Sequence, residues 1–181
     1  MNQVGRQSNC SLGVPVDFYW YPAGECSNHI AAAEGALIAA MKKPGRLWDP
    51  WKEAAARGEF RHRLKKAARG QLQPVDEVKE IQSGHGADLF EIRWSGLRVQ
   101  ERDDSGGSRF RGIEVRMLHS EPATLGICCV GLHAHEKAVE ADAAATRQAQ
   151  DREIAGAMRV WARAVGDDWG AVRGRPDRAR G

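Results

Sequence analysis

Three stretches in the second half of the chain show the alternation of apolar and polar residues that is typical of β-strands. The first two, LFEIRWSGLRV (89–99) and GIEVRMLH (112–119), place charged residues on one face and apolar residues on the other. The third, LGICCVGLHAH (125–135), is almost uniformly apolar, as expected of a central strand that is covered on both faces. Polar turns separate the three stretches, which therefore predict an antiparallel meander.

The first half of the chain begins with a predicted strand and then takes on helical periodicity. VPVDFYWYP (14–22) is aromatic and β-prone, and from Ser27 apolar residues recur on one helical face until Pro44. Asp49 and Pro50 predict the N-cap and first residue of a second helix. We expect this second helix to end at Gly70 and to face inward with Trp51, Phe60, Leu64 and Ala67.

A last amphipathic stretch, residues 154–165, predicts a C-terminal helix that ends at Gly166. The predicted element order is β-α-α-β-β-β-α, an α+β domain in which an antiparallel sheet packs on helices. We expect a single domain over residues 14–165, a flexible N-terminal tail over residues 1–13 and an Arg/Gly-rich C-terminal tail over residues 166–181.

Composition favours an ordinary globular protein. Of the 181 residues, 42% are hydrophobic and 28% are charged, which supports a core and argues against global disorder. No apolar stretch reaches the roughly 18 residues of a membrane span, and the N-terminus lacks the apolar core of a secretory signal. We therefore expect a cytoplasmic protein with no membrane partner. The four cysteines form no CxxC pair, so neither a zinc ribbon nor a disulfide framework is indicated.

The net charge is only +3, but the charge is unevenly distributed. Residues 42–69 contain ten Lys or Arg and three acidic residues. Such a basic segment is compatible with binding of a polyanion such as RNA, and a solvated helix face is the alternative. The candidate RNA-binding residues in this segment are Arg61, Arg63, Lys65 and Lys66.

The polar residues of the three predicted strands all fall at alternate positions and so share a face of the sheet. If the apolar faces pack on the helices, the polar face is open. One lysine precedes the meander and another follows it, and both are expected at the sides of this face. The residues expected on this face are Glu91, Arg93, Glu114, Arg116, His133 and His135, with Lys79 and Lys137 at the sides.

Three interpretations of this face remain open from the spacing alone. His133 and His135 have the geometry of zinc ligands, although a third ligand is not evident. Alternatively, Arg and Lys side chains bind and stabilise an RNA phosphate while a histidine transfers protons near neutral pH. The third interpretation is a polar sheet face with cross-strand Glu–Arg pairs and no catalysis.

Four segments in order resemble the RelE/HigB superfamily of toxins from bacterial and phage toxin–antitoxin modules, specifically its phage-derived HigB-like branch. The resemblance covers roughly residues 75–162. The predicted element order is that of the RelE-like fold. The segments are VKEIQSGHGADLFEIR (78–93), VRMLHS (115–120), CVGLHAHEKA (129–138) and DREIAGAMR (151–159).

The resemblance implies a toxin that enters the ribosomal A site, cuts mRNA there without a metal or other cofactor, and so inhibits translation. In that reaction the mRNA 2′-hydroxyl attacks the adjacent phosphate. The implied partners are mRNA, the ribosome with its rRNA, and a small helix-turn-helix antitoxin protein. The resemblance assigns phosphate stabilisation to Arg116 and Lys137, proton transfer to His133 or His135, and RNA contacts to Lys79 and Arg93.

A second hypothesis keeps the fold and removes the catalysis. Glu136-Lys137-Ala138 stands where the family has a pair of lysines, and a longer Ala-rich segment follows. The alternative is therefore a non-catalytic phage or prophage protein of RelE-like fold that binds a host protein or nucleic acid.

Overall fold

The computed structural model describes residues 6–81, 89–139 and 142–172, and all structural statements below concern these residues. They form a mixed α+β fold in which three helices pack on one six-stranded sheet. The elements in chain order are β1 (Asp17–Trp20), α1 (His29–Met41), β2 (Arg46–Leu47), α2 (Pro50–Ala68), β3 (Val78–Glu80), β4 (Leu89–Arg102), β5 (Ser108–Ser120), β6 (Cys128–Glu136) and α3 (Ala143–Gly166).

The sheet has the strand order β1-β6-β5-β4-β2, and β3 pairs with β4 beside this path. The pairings β4–β5 and β5–β6 are antiparallel, so the predicted meander is confirmed. β1 pairs with β6 in parallel, which makes β6 a central strand. β2 and β3 are additions that the sequence did not predict, because two or three residues are too few to show a period.

Helices cover both faces of the sheet. α1 and α2 pack on the face that carries Phe90, Ile92 and Trp94, as predicted, and Phe60 of α2 meets Trp94 edge to face with ring centroids 5.4 Å apart. α3 packs on the opposite face, where a second apolar cluster surrounds Leu118 and Leu132. The sheet is therefore the middle of three layers.

The ends of α2 lie where their residue types favour them. The Asp49 carboxylate accepts a hydrogen bond of 2.8 Å from the backbone N–H of Lys52, and Pro50 is the first helical residue. Gly70 follows the helix with φ of +67°, and a Cβ there would collide with the backbone of Val14. Both predicted boundaries of this helix are confirmed.

Both predicted tails need correction in their described parts. Residues 6–13 do not form a flexible tail, because Ser8 is 4% exposed, Cys10 is fully buried, and Leu72 donates a backbone hydrogen bond of 2.8 Å to the carbonyl of Cys10. At the C-terminus, Trp169 and Val172 are also buried, so the ordered structure continues beyond Gly166. Residues 1–5 and 173–181 lie outside the described residues.

The prediction that Trp51 faces inward is wrong. Its side chain lies in the first turn of α2 and is 85% exposed, whereas Phe60, Leu64 and Ala67 are fully buried as expected. Within the described ranges, no helix is both long and apolar enough to cross a membrane.

Candidate functional site

One row of side chains crosses the three central strands. Arg93 of β4 is the register partner of Arg116 of β5, and Arg116 is in turn the partner of His135 of β6. Residues in such a row point to the same side of a sheet, with Cβ atoms of neighbours about 5 Å apart. The structure therefore brings together three of the residues singled out from the sequence.

The rows on either side contribute the remaining predicted residues. Lys137 follows β6, and its backbone N–H donates to the carbonyl of Glu114 at 2.9 Å. In the other direction, His133 pairs with Leu118, and Leu118 pairs with Glu91. Lys79 of β3 extends that row beyond Glu91. We call the set Lys79, Arg93, Arg116, His133, His135 and Lys137 the basic row site.

Carboxylates neutralise the two arginines of the basic row site. Glu91, which is 3% exposed, accepts 2.7 Å hydrogen bonds from Nη1 of Arg116 and Nε of Arg93. Glu114 accepts from Arg116 at 3.4 Å and from Lys137 at 3.1 Å. These contacts hold the guanidinium groups in fixed positions, and a bound phosphate would have to compete with the carboxylates for them.

The expectation that this face is open is wrong, because α3 packs over it. Arg116 is only 6% exposed and His135 only 8%. From α3, Glu153 places Oε2 at 2.6 Å from Nε2 of His133. The rings of His133 and His135 stack with centroids 5.6 Å apart and planes 15° apart. The two histidines therefore lie between the sheet and the helix.

His135 is the titratable group that this burial changes most clearly. Burial lowers the pKa of its imidazole to about 4, with neighbouring His133 and Arg116 acting in the same direction. Nδ1 of His135 is buried and has no hydrogen-bond partner among the described residues. A neutral imidazole with a free nitrogen can accept a proton or bind a metal ion.

A groove of about 820 Å³ runs along the edge of the site between the N-terminal segment, β3, β4 and α3. Lys79 and Arg93 belong both to this groove and to the basic row site. Beside Arg116 and His135 themselves the free space is only about 10 Å³, roughly the room that one water molecule needs. The cationic residues that line the groove are Arg6, Lys79, Arg93 and Arg147.

The predicted RNA-binding residues of α2 lie in the other helical layer and do not join this site. Arg61 pairs with Glu34 at 2.8 Å, and Lys66 pairs with Glu77 at 2.6 Å. Arg63 pairs with Glu77 at 3.4 Å and lies over the ring of Trp94. Lys65 is exposed on the same helix.

Glu153 is a potential third metal ligand that the sequence did not indicate. Its carboxylate oxygen and one nitrogen each from His133 and His135 all lie within 4.8 Å of one another. Two histidines and one glutamate form a ligand set of catalytic zinc sites that leaves a fourth position for water or substrate. Helical spacing could have indicated Glu153, since Ala157 and Ala164 lie on the same stripe of α3 and both are buried.

Glu136 is a structural residue whose role the sequence also did not reveal. It points to the layer of α1 and α2, where Arg46 donates to its two carboxylate oxygens at 2.5 and 2.9 Å. The side chains of Arg46 and Glu136 are only 2% and 3% exposed. Although burial opposes ionisation, the Arg46 guanidinium prevails and lowers the pKa of Glu136.

No protein-family model, no curated protein and no solved structure matches this chain. Support for the α+β architecture and for the geometry of the basic row site therefore comes from the structure of this chain.

Proposed function

We propose that this protein is an endoribonuclease that cuts mRNA through the basic row site. The observation that carries the proposal is the row Arg93–Arg116–His135, which aligns two guanidinium groups and one neutral imidazole across three adjacent strands. This combination suits metal-independent phosphodiester cleavage, because positive charge stabilises the crowded phosphorane while a base removes a proton.

The proposed reaction uses the RNA's own 2′-hydroxyl. His135 accepts the 2′-hydroxyl proton as the O2′–P bond forms, and the P–O5′ bond then breaks to leave a 2′,3′-cyclic phosphate. His133, held by Glu153, donates a proton to the departing O5′. Arg116 and Lys137 stabilise the phosphorane oxygens, which requires them to loosen their pairing with Glu114.

Substrate approaches along the groove in this proposal. Lys79 and Arg93 contact the RNA backbone there, where phosphate contacts supply most of the affinity. Because the space beside Arg116 and His135 is about 10 Å³, the scissile phosphate reaches them only when α3 moves away from the sheet. The basic α2 surface with Arg61, Arg63, Lys65 and Lys66 provides the rRNA contact.

The biological setting that we propose is a type II toxin–antitoxin module. The protein acts as a ribosome-dependent toxin that inhibits translation, and a small helix-turn-helix protein is its antitoxin. This part of the proposal depends on the sequence resemblance, and the cationic residues of the groove and of α2 are compatible with it.

The test is cleavage of a 5′-labelled mRNA on translating ribosomes by the purified full-length chain. We expect products that end in a 2′,3′-cyclic phosphate, and a rate about 100-fold lower for His135→Gln, the typical effect of losing a general base. Arg98→Ala is the control, because Arg98 is exposed and stacks on Phe110 away from the row. In cells, induced expression should arrest growth and translation, and Arg116→Ala should relieve the arrest.

Intact mRNA with the wild-type chain, together with unaffected translation, would refute the proposal. Equal rates for wild type, His135→Gln and Arg98→Ala would also refute it, since the activity would then belong to a contaminant.

A metal-dependent hydrolase is a second candidate, which the position of Glu153 favours. In that case His133, His135 and Glu153 would hold a zinc ion, which would supply an activated water. Glu153→Gln separates the two candidates. In a zinc hydrolase it should abolish zinc binding, and EDTA should abolish the wild-type activity. In a metal-independent ribonuclease the wild type should stay active in EDTA, and Glu153→Gln should only lower the rate by releasing His133.

A non-catalytic binding protein is a third candidate, favoured by the pairing of Arg93 and Arg116 with Glu91 and by the tight packing of α3. In this case the chain binds a host protein or nucleic acid through its groove or basic helix. Retained RNA binding without any cleavage on ribosomes is the expected result.

A further inference from the structure

A second cluster of metal-ligand side chains lies at the other end of the sheet, inside the apolar core. Cys10 belongs to the turn before β1, His119 to the last part of β5, and Cys129 to the start of β6. All three are fully buried. We propose that this cluster is a structural zinc site that fastens the N-terminal segment to the sheet.

The distances among the three side chains suit a metal ion. The two sulfur atoms and the histidine nitrogen lie within 4.8 Å of one another, and Sγ of Cys10 is 4.0 Å from Nε2 of His119. With zinc–sulfur and zinc–nitrogen bonds of 2.3 and 2.0–2.1 Å, tetrahedral ligands of these two kinds are about 3.6 Å apart. The Cys10–His119 separation therefore exceeds that of two zinc ligands by only a few tenths of an ångström.

Several side chains that can bind a metal ion share this buried position. His119 is fully buried, stacks on Phe90 and turns Nε2 toward Cys10. Two thiols, an imidazole and the carboxylate of Glu121 share one buried region. Buried polar groups are normally hydrogen-bonded or bound to metal ions, and a divalent cation satisfies several of these groups at once.

Glu121 is the acidic neighbour of the proposed ligands and lies outside the three-residue cluster. Its Oε1 atom lies 3.1 Å from Nε2 of His119. The same carboxylate accepts hydrogen bonds from Ser8 and from the backbone of Asn9. Glu121 thus connects His119, one of the proposed ligands, to the N-terminal segment.

The zinc ion would join segments that are remote in sequence. Cys10 and His119 are 109 positions apart, and few regular backbone pairings hold residues 6–16 in place. A metal that binds only the folded arrangement contributes its binding free energy to folding. This proposal is independent of the ribonuclease proposal, because the cluster contains none of the residues of the basic row site.

The test is cobalt binding during refolding of the reduced full-length chain, since a buried site must be loaded as the protein folds. After removal of free metal, we expect one cobalt ion per chain and a thiolate-to-cobalt charge-transfer absorption band. Cys10→Ser and Cys129→Ser should abolish this band. Cys128→Ser should retain it, because Cys128 is equally buried but lies in the apolar cluster on the opposite face of the sheet.

Each other outcome overturns the proposal. Wild-type chain that refolds without cobalt or without the charge-transfer band excludes thiolate ligation, and bound cobalt without the band places the ion at His133, His135 and Glu153 instead. A band that survives in both Cys10→Ser and Cys129→Ser assigns it to other cysteines. If one of these two variants fails to refold, the other variant and the wild-type measurement together still decide the question.

Discussion

Replacing Arg116 by methionine tests whether the basic row is held in place by buried charge. Arg116 donates to Glu91 at 2.7 Å, and the Arg116 and Glu91 side chains are 7% and 4% exposed. Arg116→Met leaves this carboxylate buried with Arg93 as its remaining cationic partner. We therefore expect a loss of stability rather than the neutral effect of a surface substitution.

The magnitude follows from the burial of the pair. Removing one partner of a buried ion pair typically costs about 3–5 kcal/mol. Since Glu91 keeps Arg93, we expect the lower end, about 3 kcal/mol. The double variant Glu91→Gln/Arg116→Met removes both charges of the pair, and Arg93, with 27% of its side chain exposed, can be hydrated. The double variant should therefore lie within about 1 kcal/mol of wild type.

Urea unfolding followed by tryptophan fluorescence measures these differences, because the chain has six tryptophans. Arg111→Met is the matched control. The side chain of Arg111 is 46% exposed, and its ion pair with Glu101 is long, at 3.7 Å, so its loss should cost less than about 0.5 kcal/mol. The reasoning fails if Arg116→Met costs no more than Arg111→Met. It also fails if the double variant is less stable than the single one.

Three further predictions concern the elements around the site. Asp49→Ala removes the N-cap of α2 and should lower the free energy of unfolding by about 1 kcal/mol in urea titrations, and an unchanged value would contradict the capping role. Trp51→Ser should change stability by less than about 0.5 kcal/mol, whereas Phe60→Ala should cost about 3–5 kcal/mol, and the reverse ranking would mean that α2 is rotated. Burial lowers the pKa of His135 to about 4 in the folded chain. As the pH falls below about 6.5, His135 therefore takes up a proton in the unfolded chain before it does so in the folded chain. Stability present at neutral pH should therefore decline between pH 6.5 and 4, by up to about 3 kcal/mol, and His135→Gln should flatten this part of the curve.

Local sequence patterns account for the main strands and helices. Strands β4 to β6 follow from alternation, and the ends of α2 follow from Asp49, Pro50 and Gly70. Trp51 was misplaced although helical geometry excludes it. At 100° per residue, Trp51 lies about half a turn away from Phe60, which is buried.

The prediction of a flexible N-terminal tail is wrong for residues 6–13 because the burial of this segment depends on partners that are distant in sequence. The stretch up to residue 13 has no period that would indicate a packed element. Its order comes from Glu121, which receives hydrogen bonds from Ser8 and Asn9 at 2.5 to 3.0 Å across more than 110 positions of sequence. Single-sequence patterns contain no information about such long-range contacts.

The covered site could have been anticipated from β6 itself. The polar residues of the meander predicted an open face of the sheet. However, β6 is apolar on both of its faces, and a strand of that composition needs cover on both sides. The structure resolves this conflict with α3, whose apolar stripe covers Leu118 and Leu132. Where that stripe passes His133 it presents Glu153, so the helix that covers the core also provides a carboxylate to the histidines. Whether Glu153 orients a proton donor or binds a metal ion is therefore the chemical question that decides the function of this site, and the wild-type activity in EDTA, together with zinc binding by Glu153→Gln, answers it.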